Sequence, residues 1–234
     1  MNIKNICFVA TLVMVGISTA SATASANTTL DFEEPLPVGL TATNFSQGSV
    51  VSANNQIGNN YLAFGVSVTG AALVNLGYGH AASGTNGLSG ISSAGRVDYG
   101  SPFSFEFFSP ISSSIAATTN YFSITPDRAG GSGNTVTLAA YDFTGQLVGA
   151  RSFVENVGFL GTLELNGIGD FHKVVVIPGH GDPSSGGIAM DLVTYGDLSP
   201  IAAPVPEPET YAMMLAGLGL LGVVARRRKQ ELNA

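Results

Sequence analysis

Short β-prone segments separated by turn residues run through most of this 234-residue chain. In the segment 103–109, Phe103, Phe105 and Phe107 alternate with polar side chains, and the apolar residues of 135–141 alternate in the same way. Alternation with a period of two gives a β-strand one apolar face, which must be buried. No long stretch repeats apolar residues at the spacing of an amphipathic helix. The pattern predicts an all-β fold, either a sandwich or a barrel.

Nine segments have this strand-like composition. They are 28–33, 61–69, 103–109, 120–125, 135–141, 147–153, 161–165, 171–178 and 187–195. Turn residues separate them, and Asp142-Phe143-Thr144-Gly145 predicts a tight hairpin between two of the strands. The segment 81–95 is rich in Gly, Ser, Ala and Asn, so we expect a long surface loop there.

The C-terminal tail has a different character, because residues 210–225 are predicted to form an apolar helix. The run from 211 to 225 carries no charge, and at 1.5 Å per residue it covers about 22 Å of a hydrocarbon core roughly 30 Å thick. A basic stop follows at 226–229, formed by Arg226, Arg227, Arg228 and Lys229. We expect a single, marginal transmembrane helix whose basic end stays cytoplasmic, which puts the bulk of the chain across the inner membrane.

A proline-containing motif, Val205-Pro206-Glu207-Pro208, precedes the apolar run. Each proline fixes its own φ and pushes the residue before it towards extended geometry, so the motif stays open to another protein's cleft. The motif, the apolar run and the basic end resemble, over 205–230, the PEP-CTERM protein-sorting signal of Gram-negative bacteria. The resemblance implies that an exosortase recognises Pro206, Glu207 and Pro208, cleaves nearby and frees the protein for the cell surface or the medium. An ordinary C-terminal membrane anchor is the alternative.

The N-terminus predicts export as well. Lys4 gives a positive start, 6–17 is an apolar segment, and Ala24-Ser25-Ala26 is a small-residue cleavage site. These features predict a signal peptide over 1–26 that a signal peptidase removes. Cys7, the one cysteine of the chain, lies in the apolar segment. The mature protein would then have no thiol, which excludes disulfides, thiolate metal ligands and cysteine nucleophiles.

The residues between signal and tail predict one β-sandwich domain over 27–199, with a linker at 200–206. Four of the nine cations and thirteen of the sixteen acids fall in this domain, so its net charge is near −9. Nucleic-acid binding needs a basic surface, and the charge therefore argues against nucleic acid as a partner. An acidic surface permits cations to bind and favours solubility outside the cell.

Three segments of this domain resemble the jelly-roll sandwiches that are common in proteins with such a sorting signal. They are Asp31-Phe32-Glu33, TVTLAAYDFTGQLVG at 135–149 and GGIAMDLVTY at 186–195. These sandwiches are similar to carbohydrate-binding modules and concanavalin-like lectins. The resemblance implies an antiparallel jelly-roll-type β-sandwich.

The same resemblance implies a structural calcium ion. In the family, an acid of the final strand and an acid near the first strand often help to hold it, which maps here onto Asp191 and Glu33, with Asp31 and backbone carbonyls beside them. Calcium needs roughly six to eight oxygen ligands. An Asp between two apolar neighbours is costly to bury unless it is paired or metal-bound. The alternative is that Asp191 points outward as the polar half of the strand.

Residues with catalytic potential are few. Gly179-His180-Gly181-Asp182 is the most enzyme-like patch, but neither a G-x-S-x-G motif nor a histidine pair with metal-ligand spacing accompanies it. Its alternative is a polar turn between two strands. Glycoside hydrolysis needs two carboxylates across a cleft. Glu106 with Glu164, or Asp98 with Asp127, can be named, but nothing in the sequence selects these pairs.

A sugar site in a sandwich usually stacks the sugar ring on an exposed aromatic side chain. The chain has no Trp. The candidates are aromatic and polar residues near predicted loops: Tyr61, Tyr78, Tyr99, Asn59, Asn60, Asn75 and Asp98. The alternative for each tyrosine is a strand-end position with its hydroxyl group in water.

Together these observations predict an exported, non-catalytic protein of the cell surface or extracellular matrix. Its sandwich is expected to associate with extracellular polysaccharide. Two alternatives stay open: a secreted enzyme that hydrolyses glycan or ester bonds, and a purely structural, adhesin-like subunit. Because function resides in a site rather than in a fold, facing carboxylates across an aromatic-lined groove would favour the enzyme, and a flat or loop-filled sheet face would favour the structural subunit.

Overall fold

In the computed structural model, which describes residues 27–33, 35–77, 81–126, 135–154, 161–179, 188–201 and 213–222, thirteen strands join in one hydrogen-bonded sheet. The strands are β1 Thr28–Leu30, β2 Thr43–Asn44, β3 Gln56–Gly58, β4 Val66–Asn75, β5 Asn86–Gly90, β6 Phe103–Ser109, β7 Ser112–Pro126, β8 Thr135–Tyr141, β9 Leu147–Val154, β10 Leu163–Phe171, β11 Lys173–Gly179, β12 Met190–Tyr195 and β13 Ser199–Pro200. Short 3-10 helices cover Ala53–Asn55 and Leu62–Phe64, and an α-helix, α1, covers 213–222. The predicted signal peptide, sorting motif and basic stop lie outside the described residues.

The order of neighbouring strands shows how the sheet closes on itself. It runs β10-β7-β12-β5-β4-β6-β11-β8-β9, with β1 beside β12. The pairs are antiparallel except for β2 and β4. The two ends of this order meet, because Nη2 of Arg151 in β9 donates to the carbonyl oxygen of Asn166 in β10 at 3.1 Å. The predicted all-β sandwich is therefore confirmed.

The core is built from aliphatic side chains and a group of contacting aromatic rings. Phe107 is at its centre, with its ring centroid 5.5 Å from that of Tyr195, 6.2 Å from that of Phe171 and 6.3 Å from that of Phe122. These rings come from four different strands, β6, β12, β10 and β7. The predicted apolar faces of 103–109 and 135–141 are confirmed, since their alternating apolar residues are buried.

A second apolar cluster covers the opposite face of β4. Val66 and Val68 face the main core, whereas Ala72 and Val74 belong to the second cluster. Gly70, with φ +79, lies where this alternation shifts by one residue, as a bulge in a strand requires. Val51 and Val97, which lie in two separate loops, belong to this cluster. The middle of the sheet is therefore buried on both faces.

The long surface loop predicted over 81–95 is wrong for part of its length. Asn86–Gly90 forms β5, and every residue of this strand is buried. A Cβ at Gly90 would overlap the carbonyl oxygen of Ser101, and a Cβ at Gly87 would lie 3.0 Å from the carbonyl oxygen of Met190. The glycines therefore permit close backbone approach inside the fold, a role that composition does not distinguish from a loop.

The first strand lies beside the strand that carries Asp191. Thr28 is paired with Tyr195, and Leu30 with Val193. The chain then continues through β13, which pairs with β7, and the N–H group of Ile201 donates to the carbonyl oxygen of Ala116. The paired chain therefore reaches the first residues of the predicted linker at 200–206.

The tail helix is shorter in the described residues than the predicted helix over 210–225. Helix α1 covers 213–222 and all of its side chains are exposed. At 1.5 Å per residue this length amounts to about 15 Å. Within the described ranges, no helix is both long and apolar enough to cross a membrane, so the predicted transmembrane helix is not confirmed.

Candidate functional site

The two predicted calcium ligands, Asp191 and Glu33, meet at one loop. Asp191 is 0% exposed, so the alternative of a solvent-facing side chain is wrong. Its Oδ2 accepts hydrogen bonds from the N–H (2.6 Å) and hydroxyl (3.1 Å) groups of Ser83. Its Oδ1 accepts the N–H group of Leu192 at 2.7 Å. The buried carboxylate thus anchors the start of the loop that leads into β5.

Glu33 holds the other end of this loop. Its Oε1 accepts the N–H groups of Thr85 at 2.8 Å and Asn86 at 2.7 Å. Gly84 lies between the two anchored ends with φ +45, and a Cβ there would overlap the Glu33 carboxyl group. The pairing of β1 with β12 brings both acids to the same place, although they are far apart in sequence.

The electrostatics of this acid cluster are unfavourable to a charged Asp191. Burial, with a smaller contribution from the charge of Glu33, raises the pKa of Asp191 from 3.8 to about 6 against opposing hydrogen bonds from Ser83 and Leu192. Phe32 and Leu192, beside the two acids, have left-handed backbones with φ 58 and φ 39. For a residue with a Cβ this conformation costs roughly 1–2 kcal/mol.

A divalent cation would offset the cost of burying the charge of Asp191 beside Glu33, and two clustered carboxylates suit calcium chemically. The oxygens nearby already accept hydrogen bonds, however: the Asp31 carbonyl from the Ser83 hydroxyl group and the Phe32 carbonyl from the Asn86 side chain. In the part of the chain that the structure describes, no three His, Cys, Asp or Glu residues form a metal cluster. The calcium site stays a prediction.

The two sugar-site tyrosines that fall within the described residues do not form a stacking surface. Tyr61 is 6% exposed and Tyr99 is 7% exposed, and the Tyr99 hydroxyl group donates to the carbonyl oxygen of Phe45. Asp98 accepts hydrogen bonds from Gln47, Gly100 and Ser101, so its carboxylate shapes a turn. The remaining tyrosine of this set and the His180 patch lie outside the described residues.

An open groove of about 520 Å³ lies on the outer face of β6, β11 and β8 instead. The turn between β8 and β9 forms one wall. The groove is lined by Glu106, Tyr141, Asp142, Phe143, Thr144, Gly145, His172, Lys173 and Val175. Phe143 is 59% exposed, so the groove combines an accessible aromatic ring with charged and hydroxyl groups.

The hairpin that forms this wall is built as the sequence predicted. The N–H group of Asp142 donates to the carbonyl oxygen of Gln146, and that of Gly145 donates to the carbonyl oxygen of Asp142. Oδ1 of Asp142 accepts the Thr144 hydroxyl group at 2.7 Å and the N–H groups of Thr144 and Gln146. The Thr144 hydroxyl bond and then the Gln146 bond hold the pKa of Asp142 below its ordinary value.

His172 fixes the aromatic side of the groove. Its ring lies between those of Phe143, at a centroid distance of 5.4 Å, and Phe108, at 5.8 Å, with both contacts edge to face. Nδ1 lies 2.9 Å from the carbonyl oxygen of Ala117. Because a carbonyl accepts, Nδ1 carries the proton, and in the neutral ring Nε2 is an acceptor.

The floor of the groove is a row of residues on neighbouring strands. Lys173 in β11 is the register partner of Glu106 in β6 and of Tyr141 in β8. Nζ of Lys173 donates to Oε1 of Glu106 at 2.8 Å, and both side chains are about one-third exposed. Ser67 in β4 continues the row beside Glu106, and its hydroxyl group donates to Asn59.

Sequence reasoning predicted the hairpin but not this groove. It placed Phe143 in a turn, and it had no means of joining Phe143 to His172, which lies about thirty positions later in the chain. One signal was present in the sequence: a phenylalanine inside a two-strand turn is an apolar ring where solvent exposure is expected. Of the polar residues named from sequence, Glu106 lies in the row and Asn59 lies beside it.

The fold and the groove define an all-β sandwich domain with an open, aromatic-lined surface groove. Two solved structures are similar to the chain. A DUF4465 family protein from Bacteroides caccae is 12% identical, with a TM-score of 0.36, and the similarity covers 79% of this chain and 99% of that one. TmCBM61, solved in complex with β-1,4-galactotriose, is 17% identical with a TM-score of 0.30 over 68% and 100% of the two chains. Similarities of this size do not assign the chain to either family.

The tail gives a more specific match. Residues 204–229 match the PEP-CTERM protein-sorting motif, which confirms the resemblance seen over 205–230. The motif indicates export and sorting to the cell surface and implies processing by an exosortase. Among curated proteins, no relative of the chain was found by sequence.

Proposed function

We propose that this chain is a non-catalytic protein of the cell surface or extracellular matrix whose sandwich binds extracellular polysaccharide. The sorting motif over 204–229 supports delivery to the place where such polysaccharide is found. During export the chain would meet a signal peptidase and an exosortase, with its apolar tail held in the inner membrane until cleavage. The acidic charge of the domain argues against nucleic acid as a partner.

The observation that carries the proposal is the exposed ring of Phe143 beside the polar floor of the groove. A sugar ring has an apolar face that packs on an aromatic side chain, and hydroxyl groups that bond to polar neighbours. Tyr141 and His172 extend the aromatic wall, and Glu106 and Lys173 supply an acceptor and a donor at its foot. The groove is open, as a site for an internal stretch of a long polymer must be.

The proposal that the protein is non-catalytic rests on the hydrogen bonds and ion pair of the two groove carboxylates, Asp142 and Glu106. A glycosidase needs one carboxylic acid whose pKa is raised, so that it can protonate the leaving group. The pKa of Asp142 is lowered by its hydrogen bonds to Thr144 and Gln146, and Glu106 is held in an ion pair. This arrangement favours binding over hydrolysis. Glycan or ester hydrolysis remains the second candidate function.

Replacing Phe143 by alanine tests the proposal. We expect retention on the native extracellular polysaccharide to fall roughly tenfold, because the main apolar contact of the groove is removed. Affinity electrophoresis of the protein through gels that contain the purified polysaccharide measures this loss.

Phe45→Ala is the matched control, because Phe45 is 52% exposed and lines a different depression. It should bind like the wild type, and thermal melting should show both variants folded. Equal losses in both variants would remove the groove from the proposal. A folded wild type that no polysaccharide retards would favour the structural, adhesin-like subunit, and release of shortened glycan would favour the hydrolase.

A further inference from the structure

The groove is lined by Glu106, Asp142, Phe143, His172 and Lys173, among other residues. The charges of its side chains limit the kind of glycan that it can hold. Two carboxylates, Glu106 and Asp142, line the groove together with a single cation, Lys173. That cation is already neutralised, since Nζ lies 2.8 Å from Oε1 of Glu106. A carboxylate or sulfate group on a sugar would meet an excess of negative charge and no free cation among the described lining residues.

The unused atoms of the same side chains suit hydroxyl groups. The bonds that the Asp142 side chain accepts from Thr144 and Gln146 all go to Oδ1, and the ion pair of Glu106 uses Oε1. Each carboxylate therefore keeps a second oxygen as an acceptor, and the Lys173 ammonium group keeps donor capacity beyond the ion pair. Neutral sugars present donors and acceptors of this kind on every ring.

Outside the groove, the domain's described cations do not compensate for this charge. Arg96 and Arg151 donate to the backbone carbonyls of Gly48 and Asn166 and do not line the groove. The net charge of the domain is near −9, so its field repels polyanions at long range.

We infer that the groove selects neutral glycans and rejects glycans that carry carboxylate or sulfate groups, with Glu106 as the specificity-determining residue. This inference rests on the polysaccharide binding proposed above. Glu106 acts by occupying Lys173, because an unpaired ammonium group at this position would attract an acidic sugar. The row from Ser67 to Tyr141 crosses four neighbouring strands and spans about 14 Å, so the preferred ligand is a linear segment laid across the strands.

The test uses the full chain in mild detergent and immobilised hexasaccharides in matched pairs. Each pair shares one backbone, gluco, galacto or manno, and differs only in whether C6 is a neutral hydroxymethyl group or an oxidised carboxylate. We expect the wild type to bind at least one neutral member, and its uronate partner at least roughly tenfold more weakly. Binding to the neutral member should change little between low and high salt, because no ion pair with the ligand is formed.

The Glu106→Gln variant removes the negative charge that pairs with Lys173. It frees Lys173 and keeps the size of the side chain, so the preference for the neutral member should narrow by roughly tenfold, and binding to the uronate should become sensitive to salt. The Glu164→Gln variant is the control, because Glu164 lies on β10, outside the groove, and should keep the wild-type preference.

The outcomes separate the inference from the proposal on which it rests. Equal or tighter binding of uronates by the wild type, or an unchanged preference in Glu106→Gln, would overturn the inference and leave polysaccharide binding intact. Absence of binding to every member of every pair by the folded wild type would overturn both.

Discussion

A chain in which Pro206, Glu207 and Pro208 are all replaced by alanine is expected to accumulate uncleaved in the inner membrane. Residues 204–229 match the PEP-CTERM protein-sorting motif, and we expect the prolines to favour an extended segment that enters the cleft of the processing enzyme. Alanine permits helix at these positions, whereas each proline excludes it for itself and disfavours it for the residue before. The variant should therefore lose nearly all processing, since both the recognised side chains and the extended backbone are gone.

Immunoblots of membrane and medium fractions, with intact masses by mass spectrometry, measure this effect. Alanine at Thr210, between the motif and the described helix at 213–222, is the matched control and should be processed like the wild type. A triple variant that is released with the wild-type mass would show that the motif is not what the exosortase reads. Release of both variants at full length would argue instead against cleavage of the tail.

The second large effect is a dependence of stability on pH that is carried by Asp191. Its pKa is raised from 3.8 to about 6, chiefly by burial, so the folded protein binds a proton more tightly than the unfolded chain. The resulting stabilisation is complete below about pH 4 and is lost as the pH rises through 6. Over that window the contribution of Asp191 amounts to roughly 3 kcal/mol, and about half of it lies between pH 5 and pH 7.5.

Urea unfolding in the presence of a chelator, at about pH 5 and pH 7.5, measures this contribution. The Asp191→Asn variant cannot ionise at this position, so its free energy of unfolding should change by roughly 1.5 kcal/mol less between the two pH values than that of the wild type. Asp197→Asn removes an exposed carboxylate from the same segment and should retain the wild-type dependence. Parallel curves for the wild type and Asp191→Asn would show that the buried carboxylate does not titrate in this range.

Burial favours the neutral form of Asp191, whereas bound calcium would favour the charged form. The predicted metal site can therefore be tested in the same experiment. A bound cation favours the charged form of Asp191, so added calcium should stabilise the wild type at pH 7.5 and cancel its loss of stability between pH 5 and pH 7.5. Asp191→Asn should lose most of this stabilisation. Equal stability with calcium and with chelator would remove the metal and leave the acid cluster as an anchor for the loop at 83–86 alone.

The location of the strands could be predicted where alternation was clear. The segments 103–109 and 135–141 became β6 and β8 with the predicted bounds, because a strand with one buried face requires apolar residues at every second position. β5 was missed because both of its faces are buried and its glycines, Gly87 and Gly90, allow close backbone approach. Small residues that serve packing have the same composition as a loop, so the pattern itself cannot separate them.

The candidate sites, too, could be predicted from the sequence only in part. Glu33 and Asp191 could be predicted to lie together, because the resemblance implied that an acid near the first strand and an acid of the final strand hold one ion, and β1 does pair with β12. The burial of Asp191 and its hydrogen bonds to Ser83 could not be predicted from the sequence, because they depend on how the loop before β5 folds back. The rings of Phe143 and His172 come into contact only in the tertiary structure, where the turn after β8 meets the start of β11.

By itself, the sequence determined the properties that reside in contiguous residues. These are the all-β class, the tight turn at 142–145, the acidic charge and the sorting motif within 204–229. Only the tertiary structure decided which aromatic rings are exposed, which acid is buried and which charges share a groove. Tyr61 is buried and Phe143 is exposed, although both lie near turns, because exposure depends on which strands pack over a side chain and sequence spacing carries no record of that packing.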